Sequence, residues 1–285
     1  MHDRTSTAQP MRFTVITPCF NAARYVEETI QSVLAQTAVA SGRVELEYWV
    51  IDGGSSDGTQ EIALRYADRG VRLVSEPDQG MYDALAKGFE RTTGDVCCYI
   101  NAGDYYHRAA FDVVADVLQQ SDVHWLTGMY IIYNERSQVV LAQQPKSRPR
   151  GWIRQGFYGT VLPHIQQEST FWRTALLQDI DLAALRSNRL AGDFYLWHSF
   201  ARRHELHIVS SYLGGFKLHA GQLSEQRGRY AKEVAQICGQ MPGRLAWVLA
   251  VGSKVFEKLM PRKLLITIGY DRAIYWDNDR QRWGA

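Results

Sequence analysis

Short apolar runs alternate with amphipathic helical patterns through the first part of the chain. The apolar runs predict buried strands at Phe13–Thr17, Leu46–Ile51, Val71–Ser75 and Val96–Ile100. Each run is followed by a segment whose apolar residues recur every three or four positions, which is the pattern of a helix with one buried face. Strand–helix units in series form a mainly parallel sheet with helices on both faces, so the predicted fold class is α/β.

The helical patterns give expected bounds for the helices. Asn21 is expected to cap the first helix, and later helices are expected over Met81–Arg91 and Phe111–Leu118. Ligands of such folds bind where the parallel strands end. The loops expected to line one crevice begin at Pro18, Asp52, Glu76 and Asn101.

The pattern changes near residue 126, where closely spaced β-rich pieces replace the strand–helix units. Met129–Tyr133 and Gln138–Ala142 predict a hairpin, and the Pro- and Gly-containing stretch 145–151 predicts an exposed loop. Further along, a helix is expected to begin at Asp193 and a strand is expected over Leu206–Ser211. The organisational boundary of the chain is therefore placed where the pattern changes, between residue 126 and the loop at 145–151.

Residues 241–270 combine positive charge with an apolar stripe. Five basic residues against Glu257 give this stretch a charge of +4, and since the whole chain carries +2, the other residues sum to −2. Apolar residues between Trp247 and Leu259 recur at helical spacing, which predicts an amphipathic helix. Such a helix suits the surface of an anionic membrane; the alternative is that its apolar face packs on the rest of the chain or on a second subunit.

The composition excludes several classes of protein. With 285 residues, of which 46% are hydrophobic, the chain can bury a core, which argues against a disordered or fibrous protein. The balance of 32 basic and 30 acidic residues is too even for general nucleic-acid binding, so no nucleic-acid partner is expected. The four cysteines have no CxxC spacing, which disfavours a zinc knuckle or a disulfide framework and favours a reducing cytoplasm. Adjacent Cys97 and Cys98 are expected to point to opposite faces of a strand.

No segment of the sequence has the pattern of a signal peptide or a membrane span. Residues 1–11 lack an apolar core and are expected to be a frayed tail. The longest apolar candidate, Leu245–Phe256, is interrupted by a Gly-Ser-Lys sequence and is too short for a bilayer roughly 30 Å thick. The chain is therefore not expected to cross a membrane.

Acidic residues mark the ends of the predicted strands. The turn Thr17-Pro-Cys-Phe-Asn21 is not the G-x-G-x-x-G of a dinucleotide-binding fold, and the sequence contains no P-loop. Acids at strand ends would repel a bare diphosphate, but they suit a phosphate ligand that arrives with a hard divalent cation, the other acids accepting hydrogen bonds from a base or from sugar hydroxyls. These acids are Asp52, Asp57, Asp78, Asp83 and Asp104.

Five segments, in order and in spacing, resemble family 2 glycosyltransferases. They are Thr17–Asn21, Ile51–Thr59, Ser75–Gly88, Ile100–Asp104 and Gln167–Arg173, and the resemblance covers about residues 11–225. It implies the GT-A (Rossmann-like) fold, an inverting reaction and a nucleotide-sugar donor, with UDP as the first choice of nucleotide. The Gly-Gly and Tyr-Asp-Ala forms resemble the branch that builds bacterial exopolysaccharides and surface glycans.

The resemblance also implies a division of the chain. Residues 12–125 would form the nucleotide-sugar-binding half of the GT-A domain, and residues 126–239 would form its acceptor-binding half. Residues 240–285 would be the basic amphipathic C-terminal extension.

The donor site is implied to lie mainly in the first half. Pro18 and Asp52 match nucleoside-binding positions, where a carboxylate would read the base or ribose; the alternative is that Asp52 only begins a turn. The family often has a second acid at the next position, which is Gly53 here. Further donor contacts are implied for Thr17, Ser55, Asp83, Lys87, Asn101, Ala102 and Lys217. Of these, Asp83 and Lys87 lie four positions apart on one helix face, so they would form an ion pair with or without a ligand.

The metal site is implied to centre on Asn101-Ala-Gly-Asp104. Asp104 would be the direct ligand of Mg²⁺ or Mn²⁺, while Asn101 can offer only a neutral oxygen. The alternative is that Asp104 only caps the following helix. His219, after the last core strand, would complete the site; the alternative is a surface histidine.

An inverting transfer needs a base that takes the proton of the acceptor hydroxyl. Asp193, in Ala191-Gly-Asp-Phe-Tyr-Leu-Trp197, matches the family's acid at the start of a helix, and the alternative is an ordinary helix cap. Glu168 is the second candidate, and its alternative is a structural turn before a helix at Phe171-Trp172.

The sequence therefore predicts a metal-dependent, hexosyl-type glycosyltransferase. Its acceptor would be a glycan or a lipid-linked molecule, and the protein would be cytoplasmic and peripheral on the inner face of the cytoplasmic membrane. A sugar-nucleotide pyrophosphorylase is disfavoured because no Gly-rich basic loop follows the first strand. A non-catalytic partner in a glycan-assembly complex is the remaining alternative, and the presence of Asp104, Asp193 and His219 together argues against it.

Overall fold

The computed structural model describes residues 9–120, 122–145, 149–219, 222, 225–239, 243–261, 264–265 and 273–284. Most of the expected frayed tail, part of the exposed loop after the hairpin and parts of the basic extension lie outside these residues.

The described residues form strands and helices in the following order. The strands are β1 (Met11–Cys19), β2 (Val44–Asp52), β3 (Val71–Ser75), β4 (Val96–Tyr99), β5 (Tyr105–Tyr106), β6 (Trp125–Thr127), β7 (Tyr130–Tyr133), β8 (Val139–Gln143), β9 (Thr170–Arg173), β10 (His207–Ile208), β11 (Gly214–Lys217), β12 (Tyr275–Asp277) and β13 (Arg282–Gly284). The helices are α1 (Val26–Leu34), α2 (Thr37–Ala40), α3 (Thr59–Leu64), α4 (Met81–Phe89), α5 (Ala110–Leu118), α6 (Arg150–Arg154), α7 (Leu182–Ser187), α8 (Gly192–Phe200), α9 (Arg227–Cys238) and α10 (Arg244–Leu259).

A seven-stranded sheet with strand order β10-β6-β9-β4-β1-β2-β3 forms the centre of the fold. The pairs β1·β2, β1·β4, β2·β3 and β6·β10 are parallel, and β9 runs antiparallel between β4 and β6. This is the mixed α/β architecture with a mainly parallel sheet that the strand–helix units predict, and that prediction is confirmed.

Both faces of this sheet are buried because successive side chains point to opposite sides. Val15 and Cys98 pack on the face covered by α1 and α5, whereas Ile16 and Cys97 pack on the face covered by α4 and α8. The expectation that the two adjacent cysteines point to opposite faces is confirmed. All four cysteines are free thiols.

A second sheet, of order β5-β11-β7-β8, lies beside the carboxyl end of β4. The predicted hairpin forms its β7 and β8 strands, with an irregular register between Ile132 and Tyr133. Strand β11 pairs with β5 on one side and with β7 on the other. This pairing places β11, and the residues that follow it, beside the loop that follows β4.

Two local predictions are wrong. Asn21 does not cap α1, which begins at Val26; it adopts a left-handed backbone conformation with φ of 48°, and its Oδ1 accepts the Ser56 N–H at 3.1 Å. Residues 171–172 lie in β9 and not in a helix, because the Thr-Phe-Trp sequence is buried on both faces between β4 and β6. The predicted strand over 206–211 is limited to β10.

The C-terminal part of the described chain contains α9, α10 and the hairpin β12–β13. The hairpin is joined to the body through a parallel bridge between Val209 and Ile274. On α10, Val248, Leu249, Val255 and Leu259 are each more than half exposed. Within the described residues, no helix is both long enough and apolar enough to span a bilayer.

Candidate active site

The loops after β1 and β2 are joined to each other at the carboxyl edge of the sheet. The Asn21 N–H donates to Ser55 Oγ at 2.7 Å, and the Ala23 N–H donates to Asp57 Oδ2 at 3.0 Å. Thr17 and Pro18 lie buried at the end of β1, where the Thr17 hydroxyl bonds to Tyr48 OH at 2.9 Å. These contacts build one wall of the predicted crevice.

Asp52, at the end of β2, is fully buried and holds the loop that follows it. Its Oδ2 accepts the N–H groups of Gly54 and Ser55 at 3.1 and 3.0 Å and the Ser75 hydroxyl at 2.6 Å, while the Ser55 hydroxyl donates to Oδ1. Burial alone would raise the pKa of Asp52, but the hydrogen bonds from Ser55, Ser75 and the backbone lower it. The carboxylate is thus an anion whose oxygens accept hydrogen bonds from its own loop and from Ser75 of β3.

The predicted pair on α4 faces the loop after β3. Lys87 Nζ donates to Pro77 O at 2.9 Å and lies 3.1 Å from Glu76, whereas its distance to Asp83 is 4.0 Å. Asp83 instead accepts Arg186 Nε at 3.1 Å. Both side chains therefore stabilise the loop geometry, and their contacts with a donor remain predictions.

The loop after β4 places Asp104 in the interior, with 2% of the residue exposed. Its Oδ1 accepts the Lys217 N–H at 2.9 Å, and its Oδ2 accepts Gln167 Nε2 at 3.4 Å. Burial raises the pKa of Asp104 to about 8, against the opposing effect of the Lys217 N–H. In the same loop, the buried Oδ1 of Asn101 has no hydrogen-bond partner among the described residues, and Ala102 is half-buried.

The ammonium of Lys217 points away from this carboxylate. It donates to Glu28 Oε2 at 2.7 Å and to Tyr105 OH at 2.5 Å, and the side chain is 5% exposed. The His219 ring stacks on Tyr25 with centroids 4.4 Å apart. A Cβ on Gly103 would lie 3.9 Å from His219 Nε2, so this imidazole lies beside the Asp104 loop.

Asp193 lies in the first turn of α8 with 9% of the residue exposed, and Ala191 rather than Asp193 is the cap residue of that helix. The Phe194 N–H donates to Oδ1 at 2.7 Å. The Tyr230 hydroxyl lies 3.1 Å from Oδ1 and 3.2 Å from Oδ2. Burial raises the pKa of Asp193 to about 6, although these hydrogen bonds act in the opposite direction.

Glu168 is a third buried acid, and the charges of both Asp104 and Asp193 act on its pKa. It is 2% exposed, and its Oε1 has no hydrogen-bond partner among the described residues. Its pKa is raised well above the ordinary value by burial first, then by Asp104, and also by Asp193. Two buried acids, Asp104 in the loop after β4 and Asp193 in α8, thus both favour the protonated form of Glu168.

The sequence that contains two of these buried acids, Asp104 and Glu168, matches a known protein family. The model of the glycosyl transferase family 2 matches residues 14–180, which is more than half of the chain. The chain belongs to glycosyltransferase family 2. It is 34% identical over 105 residues to a PGL/p-HBAD biosynthesis glycosyltransferase of Mycobacterium bovis, a match that covers 36% of this chain and 39% of the relative. The chain therefore spans well under half the length of that relative.

Solved structures of other proteins share the fold of this family 2 chain. S. aureus TarS 1–349 in complex with UDP-GlcNAc has a TM-score of 0.59 at 17% identity, over 80% of this chain and 65% of that one. Glucosyl-3-phosphoglycerate synthase from Mycobacterium tuberculosis, in complex with Mn²⁺, UDP and glucosyl-3-phosphoglycerate, has a TM-score of 0.55 at 19% identity, over 82% of both chains. The GT-A fold expected for a family 2 glycosyltransferase is confirmed.

The donor atoms of this family 2 site fit a divalent cation that keeps part of its own shell. Among the residues that the structure describes, no three His, Cys, Asp or Glu side chains are grouped around a possible metal position. The candidate ligands are hard oxygens: the Asp104 carboxylate, whose two oxygens each accept one hydrogen bond, and Asn101 Oδ1, which has no partner among the described residues. Mg²⁺ and Mn²⁺ accept such sets because waters and phosphate oxygens complete their coordination.

Several side chains that contact the predicted site residues or their loops have no signal in the sequence. Arg186 and Arg189 reach from the α7 region to Asp83 and to the Gln79 carbonyl, and Tyr230 reaches from α9 to the predicted base. These contacts join segments more than 30 residues apart in sequence. Phe20, 62% exposed at the end of β1, does have a signal, because it is an aromatic residue inside a predicted binding loop.

Proposed function

We propose that this family 2 glycosyltransferase transfers a hexosyl unit from a nucleoside diphosphate sugar to an acceptor hydroxyl, with inversion of the anomeric centre. The observation that carries the proposal is Asp193, a buried carboxyl at the start of α8 whose pKa of about 6 lies near neutrality. A general base is most effective when its pKa lies near the working pH. UDP is the first choice of nucleotide.

The chemistry assigned to the protein is proton removal and alignment. Asp193 takes the proton of the acceptor hydroxyl while that oxygen bonds to the anomeric carbon and the bond from this carbon to the diphosphate breaks. The electron pair of the broken bond leaves with the nucleoside diphosphate. Glu168 remains the second candidate for the base; its deeper burial and the nearby Asp104 favour its protonated form, which makes Asp193 the better choice.

The donor is proposed to lie over the loops after β1, β2, β3 and β4. Asp104 would hold Mg²⁺ or Mn²⁺, with His219 and Asn101 Oδ1 beside it. When bound, the cation supplies positive charge that stabilises the leaving diphosphate. Hydrogen bonds between Asp52 and Ser55 hold the loop after β2 in place before a donor binds.

The acceptor is proposed to be a glycan or a lipid-linked molecule of bacterial polysaccharide or surface-glycan synthesis. The exposed apolar side chains of α10 and the +4 charge of residues 241–270 support association with an anionic membrane surface. A protein at that surface would meet a lipid-linked acceptor directly.

Calorimetric titration of UDP and of GDP, with Mg²⁺ or Mn²⁺ and then with EDTA, tests the proposed donor site. We expect one nucleotide to bind in a metal-dependent way, and we expect Asp104→Asn to abolish this dependence. Asp116→Asn, at a surface ion pair with Arg43, is the matched control and should bind as the wild type does. If folded wild-type protein bound neither nucleotide, the proposal would fail and the non-catalytic alternative would take its place.

A further inference from the structure

Two tyrosines from different helices lie against the Asp193 carboxylate. Tyr82 of α4 and Tyr230 of α9 have hydroxyl oxygens 3.5 and 3.1 Å from Asp193 Oδ1. The single proton of Tyr82 goes to the shorter bond, which is the one to Leu190 O at 2.9 Å. Tyr230 is therefore the side chain that donates to the carboxylate.

Two glycines make room for these rings. A Cβ on Gly159 would lie 2.6 Å from Cε1 of Tyr230, and a Cβ on Gly192 would lie 2.4 Å from Cδ1 of Tyr82. Real Cβ atoms do not approach other carbons so closely, and Gly159 also has a φ of +92°, which other residues rarely adopt. The backbone thus leaves the space that lets both phenols reach Asp193.

The two carboxylate oxygens of Asp193 are not equivalent. Oδ1 accepts the Phe194 N–H at 2.7 Å and also contacts both tyrosine hydroxyls. Within the described part of the chain, Oδ2 has one hydrogen-bond contact, with Tyr230 at 3.2 Å. Oδ2 therefore keeps the acceptor capacity that proton transfer from a substrate hydroxyl requires.

Helix α9 is fixed to the segment that leads into α8. Glu233, three residues after Tyr230, accepts the N–H groups of Arg189, Leu190 and Ala191 at 3.2, 2.8 and 2.8 Å. A carboxylate that accepts three backbone N–H groups is strongly held. Helix α9 is therefore held beside the start of α8 by Glu233 as well as by the contact between Tyr230 and Asp193, and this fixes the position of the Tyr230 hydroxyl.

We propose that Tyr230 is a positioning residue for the base, and that α9 belongs to the catalytic unit although it lies beyond the part of the chain that matches the family model. This inference rests on the proposed function. The Tyr230 hydroxyl turns the Asp193 carboxylate so that Oδ2 faces the acceptor. The acceptor proton moves to Oδ2, and Tyr230 keeps its own proton throughout.

The role of Tyr230 can be measured through the pKa of Asp193, on which the surrounding groups act. The titratable groups near it are the hydroxyls of Tyr82, Tyr99 and Tyr230 and the Glu168 carboxyl, and the Glu233 carboxylate acts on Tyr82 and Tyr230. Burial and the charge of Asp193 raise the pKa of Tyr230 well above its ordinary value, so the phenol remains a donor at working pH. Its hydrogen bond favours the ionised form of Asp193, and removing the bond moves the pKa of Asp193 upward.

The test is Tyr230→Phe, measured as nucleotide release from the donor that the wild type binds, with water as the acceptor. Tyr195→Phe is the matched control: it lies on α8 two residues from Asp193, and its hydroxyl contacts the Asp181 carbonyl instead. We expect the acid limb of kcat/KM to move up by about one pH unit in Tyr230→Phe, with donor affinity unchanged, because a hydrogen bond to a charged group is of that size. The control should keep the wild-type profile.

A second measurement, titration of ¹³C-labelled aspartate by NMR with Asp193→Asn for assignment, reads the same pKa without turnover. An upward shift in Tyr230→Phe supports the inference, and an unchanged Asp193 pKa or an unchanged acid limb overturns it. Failure of the proposed function looks different, because then the wild type would bind no nucleotide while the NMR titration would still report the contact. The phenylalanine ring fits beside Gly159, so the variant retains the packing of the wild type.

Discussion

A Cβ atom on Gly53 would lie 2.5 Å from Oδ2 of Asp78, so this carboxylate occupies space that a side chain at position 53 would need. The other oxygen, Oδ1, accepts the Gly80 N–H at 2.8 Å. The oxygens of the neighbouring Asp52 accept hydrogen bonds from its own loop and from Ser75 of β3. We therefore predict that Asp78, rather than Asp52, is the carboxylate that contacts a bound nucleoside at the ends of β2 and β3.

Replacing Gly53 with alanine is expected to weaken UDP binding about tenfold, because the displaced Asp78 loses one hydrogen bond to the ligand. Asp78→Asn should have an effect of similar size, and the double variant should be no worse than either single one. Calorimetry measures all three. Gly151→Ala, where a Cβ would meet nothing within 4 Å, is the control. Full additivity of the two substitutions would show that they act independently.

The ion pair between Lys217 and Glu28 is expected to stabilise the fold by about 1 kcal/mol of coupling energy, more than a solvent-exposed pair gives. The reason is that the lysine side chain is only 5% exposed. The measurement is a double-mutant cycle of Lys217→Met and Glu28→Gln by urea unfolding. The exposed pair Arg12 and Glu45 provides the comparison cycle, with coupling near zero. Equal coupling in both cycles would contradict the claim that the ammonium serves the ion pair.

The buried Asp193 is expected to destabilise the protein once the pH exceeds about 6. Its pKa of about 6 lies above the ordinary 3.8, so the unfolded chain ionises first as the pH rises. Stability is therefore unaffected by this group below 3.8, falls between 3.8 and about 6, and stays reduced above that range. Asp193→Asn removes the charge, and its melting temperature should exceed that of the wild type by a few degrees at about pH 8 and match it at about pH 4. A constant difference between the two pH values would refute this explanation.

The exposed face of α10 is expected to bind vesicles that contain anionic phospholipid, and to bind neutral vesicles much less. Val255→Glu combined with Leu259→Glu places two charges on this face and should keep the protein in the supernatant after sedimentation of the vesicles. Leu64→Glu, at a leucine that is 56% exposed on α3, should not change the partitioning. Equal partitioning of the double variant and the wild type would exclude α10 as the membrane contact.

The sequence predicts the sheet well because its signals are local. Strand β3 has the bounds that the apolar run predicts, and helix α4 begins at the predicted Met81. The acids at the strand ends are also found by this reasoning, since a parallel sheet brings those ends together. The prediction of a helix at 171–172 is wrong because a four-residue segment with two apolar residues carries no period that separates strand from helix.

The sequence does not reveal which polar groups remain available. Asp52 and Lys217 have the residue types of ligand contacts, yet one binds its own loop and the other binds Glu28. These partners are set by tertiary packing between segments up to 189 residues apart. The same limit applies to Tyr230, whose role depends on how α9 packs on α8 and on the space left by Gly159.

The most direct test of the account compares donor turnover by the wild type and by Asp193→Asn. Nucleotide release is measured on the donor that calorimetry identifies, together with the dissociation constant of that donor. We predict unchanged donor affinity and a loss of turnover of roughly a hundredfold or more, because a positioned general base contributes at least that much. Wild-type turnover in Asp193→Asn would contradict the assignment of the base and with it the central claim.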